Sequence, residues 1–487
     1  MGHRRRGHRL WAAALLVAVL GCGDERPAHR AAARFSGATF DPLETVARPP
    51  DAGPHNTIAP EVVETDEGPI RRFVSYSEVY DVDRLYNSME GPASVLRVPL
   101  RQESAEPELL WVKGVYVEVV DERGEPADQE FMCHVVGGID PSSAHDKQFG
   151  FRTLDGRFAT LSQGQVTKDY PTGYGVPVLS NEAIGFSSQV LNFNQPSGLH
   201  RVRHKIVTLY LRDSEAKIPM KAIKNSFAQV MVLVGGEPGD GYFGVRMPDP
   251  EVHGESCAVG VNASAVGATF DDLYGREFSG HWIVEPGRHT NQTLATHMMN
   301  VPDDTRIHTI DTHLHPFAES LELRDLTTQE TIFRAEATML EEGHGVRHVE
   351  TFSSAEGIPV YADHEYAIVA TYDNTSGEPQ DAMASFYLGF HDPDFDPDAL
   401  SDPAVQARIR QKRNERALPR SRSAVARDPA DPVAQYRLGL NLYHLGELDE
   451  ALVHLREAVR LDPDDLKMRH ALTVAEGRLE AANAPFD

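Results

Sequence analysis

RIHTIDTHLHP, residues 306–316, is rich in β-branched side chains and is typical of a β-strand. On such a strand His313 and His315 lie two positions apart, so their side chains leave the same face about 7 Å from each other. Two imidazoles at that separation can converge on one metal ion. His308 lies at an odd offset from His313 and is expected on the opposite face. The segment therefore predicts a sheet protein with a metal site on one strand.

Similar β-rich runs extend on both sides of this segment, from residue 66 to residue 396. The runs cover residues 110–120, 205–211, 228–234, 366–372 and 384–390. Turn signals separate them, such as ERGE (122–125), GGEPG (235–239) and DNTSG (373–377). This region is too long for one sandwich. We therefore predict a mostly β fold with two consecutive, jelly-roll-like β-sandwich domains, residues 66–275 and 276–396, followed by a short α-helical region.

Residues 397–487 change character and are predicted to be helical. Seven of them match the tetratricopeptide template of about 34 residues over 432–465: Leu438, Gly439, Leu442, Ala451, Leu455, Ala458 and Pro463. Gly439 and Ala451 are small where the two helices are expected to cross closely. A peptide groove usually needs about three such repeats. Two roles therefore stay open: a cap or dimer contact on the β domains, and a binding site for a protein partner.

The N-terminus has the features of an export signal. Four arginines precede an uninterrupted apolar run at residues 10–20, which ends in VLGC at Cys22. As a helix this run would be roughly 16 Å long, about half of the hydrocarbon core of a bilayer. We therefore predict a signal peptide over residues 1–21, with Cys22 as the lipidated first residue of the mature protein. An ordinary signal peptide with a chance cysteine and a twin-arginine signal are the alternatives.

Residues 22–65 are rich in Pro, Ala, Arg and Asp and predict a flexible tether between the lipid and the folded domains. We expect a cell-envelope lipoprotein that faces the periplasm and meets the membrane through its lipid anchor. Gly23 favours the outer membrane, because it does not signal retention in the inner one. The net charge of −26 argues against a nucleic-acid partner, since phosphate binding needs a basic face.

Met383 is a further candidate ligand, in QDAMASFY at residues 380–387. It follows a polar turn at the point where a strand is expected to begin. A thioether is a soft ligand that suits copper(I) better than magnesium or calcium. Met383 together with His313 and His315 would make a copper site with open positions. Filling of the core is the alternative role for this methionine.

The motifs around these ligands resemble the copper type II, ascorbate-dependent monooxygenases, such as peptidylglycine α-hydroxylating monooxygenase and dopamine β-monooxygenase. The matching features are HLH at 313–315 and DAMA at 381–384 behind YDNT at 372–375. The resemblance covers residues 120–396 and is strongest over 280–392, where HWIVEPG (281–287) resembles the opening strand of the catalytic domain. It implies two sandwich domains with one copper each, and a catalytic copper on His313, His315 and Met383. It also implies a small or peptide-like substrate and ascorbate, or another external reductant.

The first domain departs from this family pattern. The family's adjacent histidine pair is Cys133-His134 here, and its later third histidine is Asn192. His134 is therefore the candidate ligand of a first-domain copper. Cys133 could also bind this copper as a thiolate, and Met132, His204 or His253 could be added. In the alternative interpretation Cys133 and Cys257 form a disulfide, as two cysteines often do in an oxidising compartment, and this domain binds no metal. His364, which follows an aspartate, is the reserve ligand of the second domain.

Two functions of different classes follow from these features. The first is an enzyme that activates oxygen at copper and hydroxylates a C–H bond of its substrate. The second is a non-catalytic copper-binding or structural double sandwich whose helical tail recruits a partner. The incomplete first site favours the second function, and the intact motif of the second domain favours the first.

Overall fold

The computed structural model describes residues 33–35, 38–40, 42–43, 57–86, 90–100, 107–139, 157–233, 269–271, 277–299, 301, 303–397, 403–463 and 465–483. Within these residues strands dominate and almost all helix follows residue 403, which confirms the predicted fold class. The predicted signal peptide, Cys22 and Cys257 lie outside the described residues. None of the described helices combines the length and the apolar character needed to cross a membrane.

The strands and helices are numbered in chain order. The strands are β1 (Ala33–Phe35), β2 (Ala38–Phe40), β3 (Thr57–Glu64), β4 (Pro69–Tyr76), β5 (Tyr80–Val82), β6 (Ala93–Pro99), β7 (Leu109–Asp121), β8 (Met132–Ile139), β9 (Arg157–Ser162), β10 (Thr167–Asp169), β11 (Tyr174–Leu179), β12 (Ala183–Val190), β13 (His200–Arg212), β14 (Lys221–Gln229), β15 (Val232–Leu233), β16 (Thr269–Asp271), β17 (Glu277–Ser279), β18 (Trp282–Val284), β19 (Gly287–Leu294), β20 (Thr305–Leu314), β21 (Ala318–Asp325), β22 (Glu330–Met339), β23 (Val346–Val349), β24 (Phe352–Val360), β25 (Tyr366–Asn374), β26 (Gln380–Ala382) and β27 (Ala384–His391). The helices are α1 (Thr296–Met299), α2 (Pro403–Arg427), α3 (Pro432–Leu445), α4 (Leu448–Leu461) and α5 (Leu466–Asn483).

The first sandwich packs a four-stranded sheet, in the order β6-β12-β8-β9, against the strands β11-β7-β13-β4-β3 of a larger sheet. β7 and β13 form the longest ladder of this layer and pair antiparallel, beginning with Val202 opposite Asp121. Apolar side chains from both layers meet in the core, among them Val115, Val135 and Phe186. Burial of these side chains is the main force that holds the two layers together.

The second sandwich packs β19-β25-β21-β22-β23 against β24-β20-β27-β14, which belong to the same larger sheet. β14 joins the two halves of that sheet, because it pairs parallel with β11 and antiparallel with β27. Ile223 at the start of β14 packs in the first core, whereas Ala228 near its end packs in the second. The change of core therefore falls inside β14, ahead of the predicted domain boundary at residue 275.

Strand β3 lies within the predicted tether and corrects that prediction for residues 57–64. It pairs antiparallel with β4, and its register shifts between Ile58 and Glu61. Pro60 lies at this shift, where an edge strand tolerates a residue without an N–H group. Residues 33–35 and 38–40 also pair, as the hairpin β1–β2. A proline-rich composition predicted a flexible chain here, but an edge strand can accommodate the same composition.

Helices α3 and α4 form an antiparallel pair after the β domains. The carboxylate of Asp431 caps α3 by accepting two backbone N–H groups of its first turn, and Gly446 ends the helix with a φ of 88°. α4 crosses α3 so closely that a Cβ on Gly439 would lie 2.7 Å from the side chain of Leu455. The close crossing predicted at Gly439 is therefore present.

Candidate metal centre

A small cavity lies between the two sandwiches, at the end of β20. Its volume is about 30 Å³, which is room for one ion or one water molecule. The second sandwich contributes His313, His315 and Met383 to its wall, and the first contributes Cys133 and His134. The three residues predicted to hold the second-domain copper therefore reach one cavity. His134, which was predicted for a separate first-domain copper, lines the same cavity.

The strand β20 presents the two histidines of the HLH motif. Its ladder with β27 places His313 opposite Ser385, while Leu314 packs in the second core. His315 follows the last residue of the strand. The ring centroids of His313 and His315 are 5.2 Å apart, and the rings are almost perpendicular at 88°. This spacing lets two imidazole nitrogens approach a common point.

A tyrosine hydroxyl connects the backbone of two candidate ligands. Tyr372 Oη donates a hydrogen bond to the carbonyl oxygen of Met383 at 2.6 Å. Tyr372 Oη in turn accepts a hydrogen bond from the backbone N–H of His315 at 3.2 Å. Burial raises the pKa of Tyr372, so the hydroxyl keeps its proton at neutral pH. One buried side chain therefore holds the backbone of Met383 close to the backbone of His315.

Asp381 lies between two histidines behind the cavity. Nδ1 of His315 is 2.9 Å from Oδ2 of Asp381, and Nδ1 of His281 is 3.3 Å from Oδ1. Burial raises the pKa of Asp381, but the His281 and His315 imidazoles outweigh burial and lower it overall. The carboxylate is therefore ionised. With Nδ1 of His315 directed at the carboxylate, its Nε2 is the nitrogen left for a metal.

The sequence pattern did not indicate His281 or Asp381 as site residues, although they lie in the motifs HWIVEPG (281–287) and DAMA (381–384). β18 pairs with β26 so that Ile283 lies opposite Asp381, which brings His281 next to this carboxylate. The donor atoms of His281, His315 and Asp381 lie within 4.8 Å of one another. The position of Asp381, two residues before Met383, was the signal that could have indicated its role, because metal-binding histidines commonly contact a carboxylate.

His313 has the properties of an imidazole prepared for a metal. Its Nδ1 atom is buried and has no hydrogen-bond partner among the described residues. Burial lowers the pKa of His313 well below its usual range, and the nearby His315 and His134 lower it further. The ring is therefore neutral at pH 7 and carries a lone pair that a metal can accept. A buried nitrogen without a hydrogen-bond partner costs free energy, which a bound metal would offset. Imidazole and thioether donors together fit a soft metal such as copper.

Strand β8 of the first sandwich forms part of the cavity wall. His134 lies on that strand, and its Nδ1 is 3.3 Å from the sulfur of Cys133. Burial lowers the pKa of His134, and together with smaller effects of the charges of Arg157 and His315 it brings the pKa to about 4. Like His313, this imidazole is neutral at pH 7. Cys133 forms no disulfide within the described part of the chain, so the predicted pairing with Cys257 is not shown.

The other candidate ligands lie away from the cavity. Nδ1 of His364, the reserve ligand, is 2.6 Å from Asp325, and neither residue lines the cavity. His204 is buried in the first sandwich, where its Nδ1 is 2.6 Å from Ser188 Oγ. Met132 packs in the first core. His253 lies outside the described residues.

A second, larger groove opens at the surface of the second sandwich. Its volume is about 460 Å³, within the range of small-molecule sites. Phe317, two residues beyond His315, is part of its wall and has a positive φ of 70°. Arg288 and Arg334 also line it, beside carboxylates of the same wall. The groove therefore offers both signs of charge close in sequence to the candidate metal ligands.

Comparisons with known proteins identify one part of the chain. Residues 432–465 match the family model of the tetratricopeptide repeat. This segment is a tetratricopeptide repeat. The match confirms the prediction made from the residue spacing, and repeats of this family suggest interaction with another protein.

Two further comparisons were made with curated proteins and with solved structures. No curated protein matches the chain. A solved structure described as the structure of infectious bursal disease virus Gx strain is 9% identical and covers 68% of this chain and 74% of that chain, with a TM-score of 0.15. A likeness this weak carries no argument about fold or function. The comparisons give no support to membership of the copper monooxygenase family.

Proposed function

We propose that this chain is a copper-dependent monooxygenase that holds its metal with His313, His315 and Met383. The observation that supports the proposal best is the meeting of two imidazoles and a thioether at one small cavity. Copper bound there would supply the redox chemistry that activates oxygen, since this donor set is compatible with both Cu(I) and Cu(II). The resemblance of the surrounding motifs to copper type II monooxygenases points to the same chemistry.

The reaction would convert a C–H bond into C–OH. One atom of O₂ enters the substrate and the other leaves as water, with two electrons and two protons supplied from outside: R–H + O₂ + 2e⁻ + 2H⁺ → R–OH + H₂O. Ascorbate, which gives two electrons as it becomes dehydroascorbate, or a similar reductant would meet this need. The groove at Phe317 is the place we propose for a small or peptide-like substrate, because its size and mixed charge suit a polar molecule.

The chain's own residues would position and shield the centre. Asp381 holds the ring of His315, and Tyr372 fixes the backbone of His315 relative to Met383. Apolar side chains such as Leu314 and Val136 form part of the cavity wall. They would keep bulk water away from the site, which strengthens electrostatic interactions there.

The test compares the wild-type chain with His313→Ala and with the control His364→Ala. We expect copper on the wild type, and oxygen consumption that depends on both reductant and substrate candidate. His313→Ala should lose both, because one of three ligands is gone, whereas His364→Ala should retain both. Copper content is measured on purified protein and oxygen uptake with an electrode. A His313→Ala variant that binds copper as tightly as the wild type would refute the site.

A non-catalytic copper-binding protein is the second candidate function. The size of the cavity favours it, because about 30 Å³ leaves space for an ion but not for an ion and a substrate carbon together. The same experiment separates the two candidates. Tightly bound copper without oxygen uptake, in the presence of ascorbate and a range of peptides and small amines, would support storage or delivery of copper.

We further propose that the protein is anchored in the cell envelope through a lipid on Cys22 and recruits a protein partner through its tetratricopeptide repeat. Support for the anchor comes from the apolar run at 10–20 followed by VLGC. Expression in a bacterial host with an alkyne-labelled fatty acid should label the wild type but not Cys22→Ala. Equal labelling of the two chains would contradict the lipid anchor.

A further inference from the structure

We propose that the copper site is shared between the two sandwiches, with His134 as a further ligand of the metal held by His313, His315 and Met383. This inference rests on the proposed copper site and changes its architecture. One ion would be bound between the sandwiches, in place of one ion in each. The ligand class is a single soft transition-metal ion, copper(I) or copper(II), bound by three imidazoles and a thioether.

The register of β8 directs His134 toward the second sandwich. In the ladder of this sheet His134 lies opposite Gln189 on one side and Ser162 on the other. Its neighbour Val135 packs in the first core. His134 and Val136, on the opposite face, both line the cavity that contains His313 and His315. His134 therefore faces the second sandwich as a consequence of strand periodicity.

The orientation of the His134 ring leaves one nitrogen for the cavity. Its Nδ1 lies 3.3 Å from the sulfur of Cys133. Only Nε2 is then left to meet a metal, as is usual for histidine ligands whose other nitrogen contacts a neighbour. His134 lowers the pKa of His313, and His315 lowers that of His134, so the three imidazoles are near neighbours.

The size of the cavity limits the number of ions to one. A volume of about 30 Å³ is room for one small ion, and the donor atoms belong to the cavity wall. Binding of that ion by all four side chains would need metal–nitrogen and metal–sulfur bonds of about 2.0–2.3 Å, as for zinc. Two separate copper sites would need two such spaces, and His134 lines the same space as His313 and His315.

The alignment of the two sandwiches is fixed by the residues just before His313. Lys168 Nζ of the first sandwich donates to Asp311 Oδ2 at 2.7 Å. The side chain of Gln165 accepts the backbone N–H of Thr312 at 2.8 Å. Because these contacts involve two consecutive residues of β20, they set the position of the next residue, His313, relative to the first sandwich. These contacts therefore hold candidate ligands from both sandwiches at one cavity.

The experiment measures copper stoichiometry and affinity in the full chain, with Cu(I) titrated against a chromogenic chelator in the absence of oxygen. Four chains are compared: wild type, His134→Ala, His134→Gln and the control His200→Ala. His200 lies in the same sandwich but does not line the cavity. We expect one copper per wild-type chain. Both His134 variants should bind copper at least about tenfold more weakly than the wild type, and His200→Ala should bind copper like the wild type.

Two outcomes would overturn the shared site. One is two coppers per wild-type chain, with His134→Ala losing one and keeping the other at full affinity. The other is a single copper whose affinity does not change in either His134 variant. Both leave the proposed function standing, because copper would still bind at His313. If instead the wild type binds no copper, or His313→Ala binds like the wild type, the proposed function fails and the shared site fails with it.

A spectroscopic readout separates a lost ligand from a fold defect. In the Cu(II) form, electron paramagnetic resonance should show nitrogen couplings that decrease in His134→Ala, while the far-ultraviolet circular dichroism of the two chains stays the same. Copper should also raise the unfolding temperature of the wild type more than that of His134→Ala, because tighter binding to the folded state stabilises it more. Unchanged nitrogen couplings would contradict ligation by His134.

Discussion

Asp381 is the residue on which the geometry of the centre depends most. It contacts Nδ1 of both His281 and His315, at 3.3 and 2.9 Å. A carboxylate in this position selects the tautomer of His315 that has its proton on Nδ1 and its lone pair on Nε2. It also prevents rotation of the ring away from the cavity. The order of the proposed copper site would thus be set by a residue that need not touch the metal.

Asp381→Asn and Asp381→Ala should therefore weaken copper binding by about 10- to 100-fold, without loss of any ligand. The affinity is measured by chelator competition. Asp325→Asn is the matched control, because Asp325 contacts Nδ1 of His364 at 2.6 Å on the same sandwich but away from the cavity. We expect the control to bind copper like the wild type. Equal affinities in all four proteins would show that Asp381 has no positioning role.

At the scale of single elements, β20 explains both what could be predicted and what could not. The residue pattern predicted the strand and the shared direction of its two histidines. It did not predict that the face bearing Asp311 and His313 packs on the first sandwich. Strand periodicity tells which side chains share a face, but the surface that covers this face is set by contacts distant in sequence, such as Lys168 with Asp311.

The helical elements were more predictable, because their signals are local. The cap at Asp431, the turn at Gly446 and the close crossing at Gly439 are all local to one repeat, so residues 432–465 could be identified from spacing alone. The contact of Asp381 with His281 had no comparable signal. It joins residues 100 positions apart through the short pairing of β18 with β26, which no periodic pattern predicts.

At the scale of the whole molecule, the two sandwiches form one continuous structure. They share a sheet through β14, and the cavity lies where the four-stranded sheet of the first sandwich approaches β20 and β27 of that shared sheet. A buried ion pair spans this contact: Lys168 and Asp311 have side chains only 2% and 5% exposed. Burial raises the pKa of Asp311, and Lys168 offsets part of this effect. The charge of Asp311 therefore depends on a residue of the other sandwich.

Removal of one member of this pair should be costly. Lys168→Met leaves a buried carboxylate without its partner and should lower the free energy of unfolding by about 3–5 kcal/mol. The double variant Lys168→Met/Asp311→Leu removes both charges and should recover most of that loss. The exposed pair of Arg288 with Glu319 is the control, since Arg288→Met should change stability by at most about 1 kcal/mol. Denaturant unfolding of the copper-free chains measures all four values.

The same variants connect stability with the metal centre. Asp311 lies two residues before His313, so a chain without the Lys168 contact should also hold His313 less firmly against the first sandwich. If the copper ligands come from both sandwiches, Lys168→Met should bind copper more weakly than Arg288→Met, even at a temperature where both are fully folded. A Lys168→Met chain that is destabilised but binds copper like the wild type would mean that the ion pair holds the sandwiches together without positioning the metal ligands.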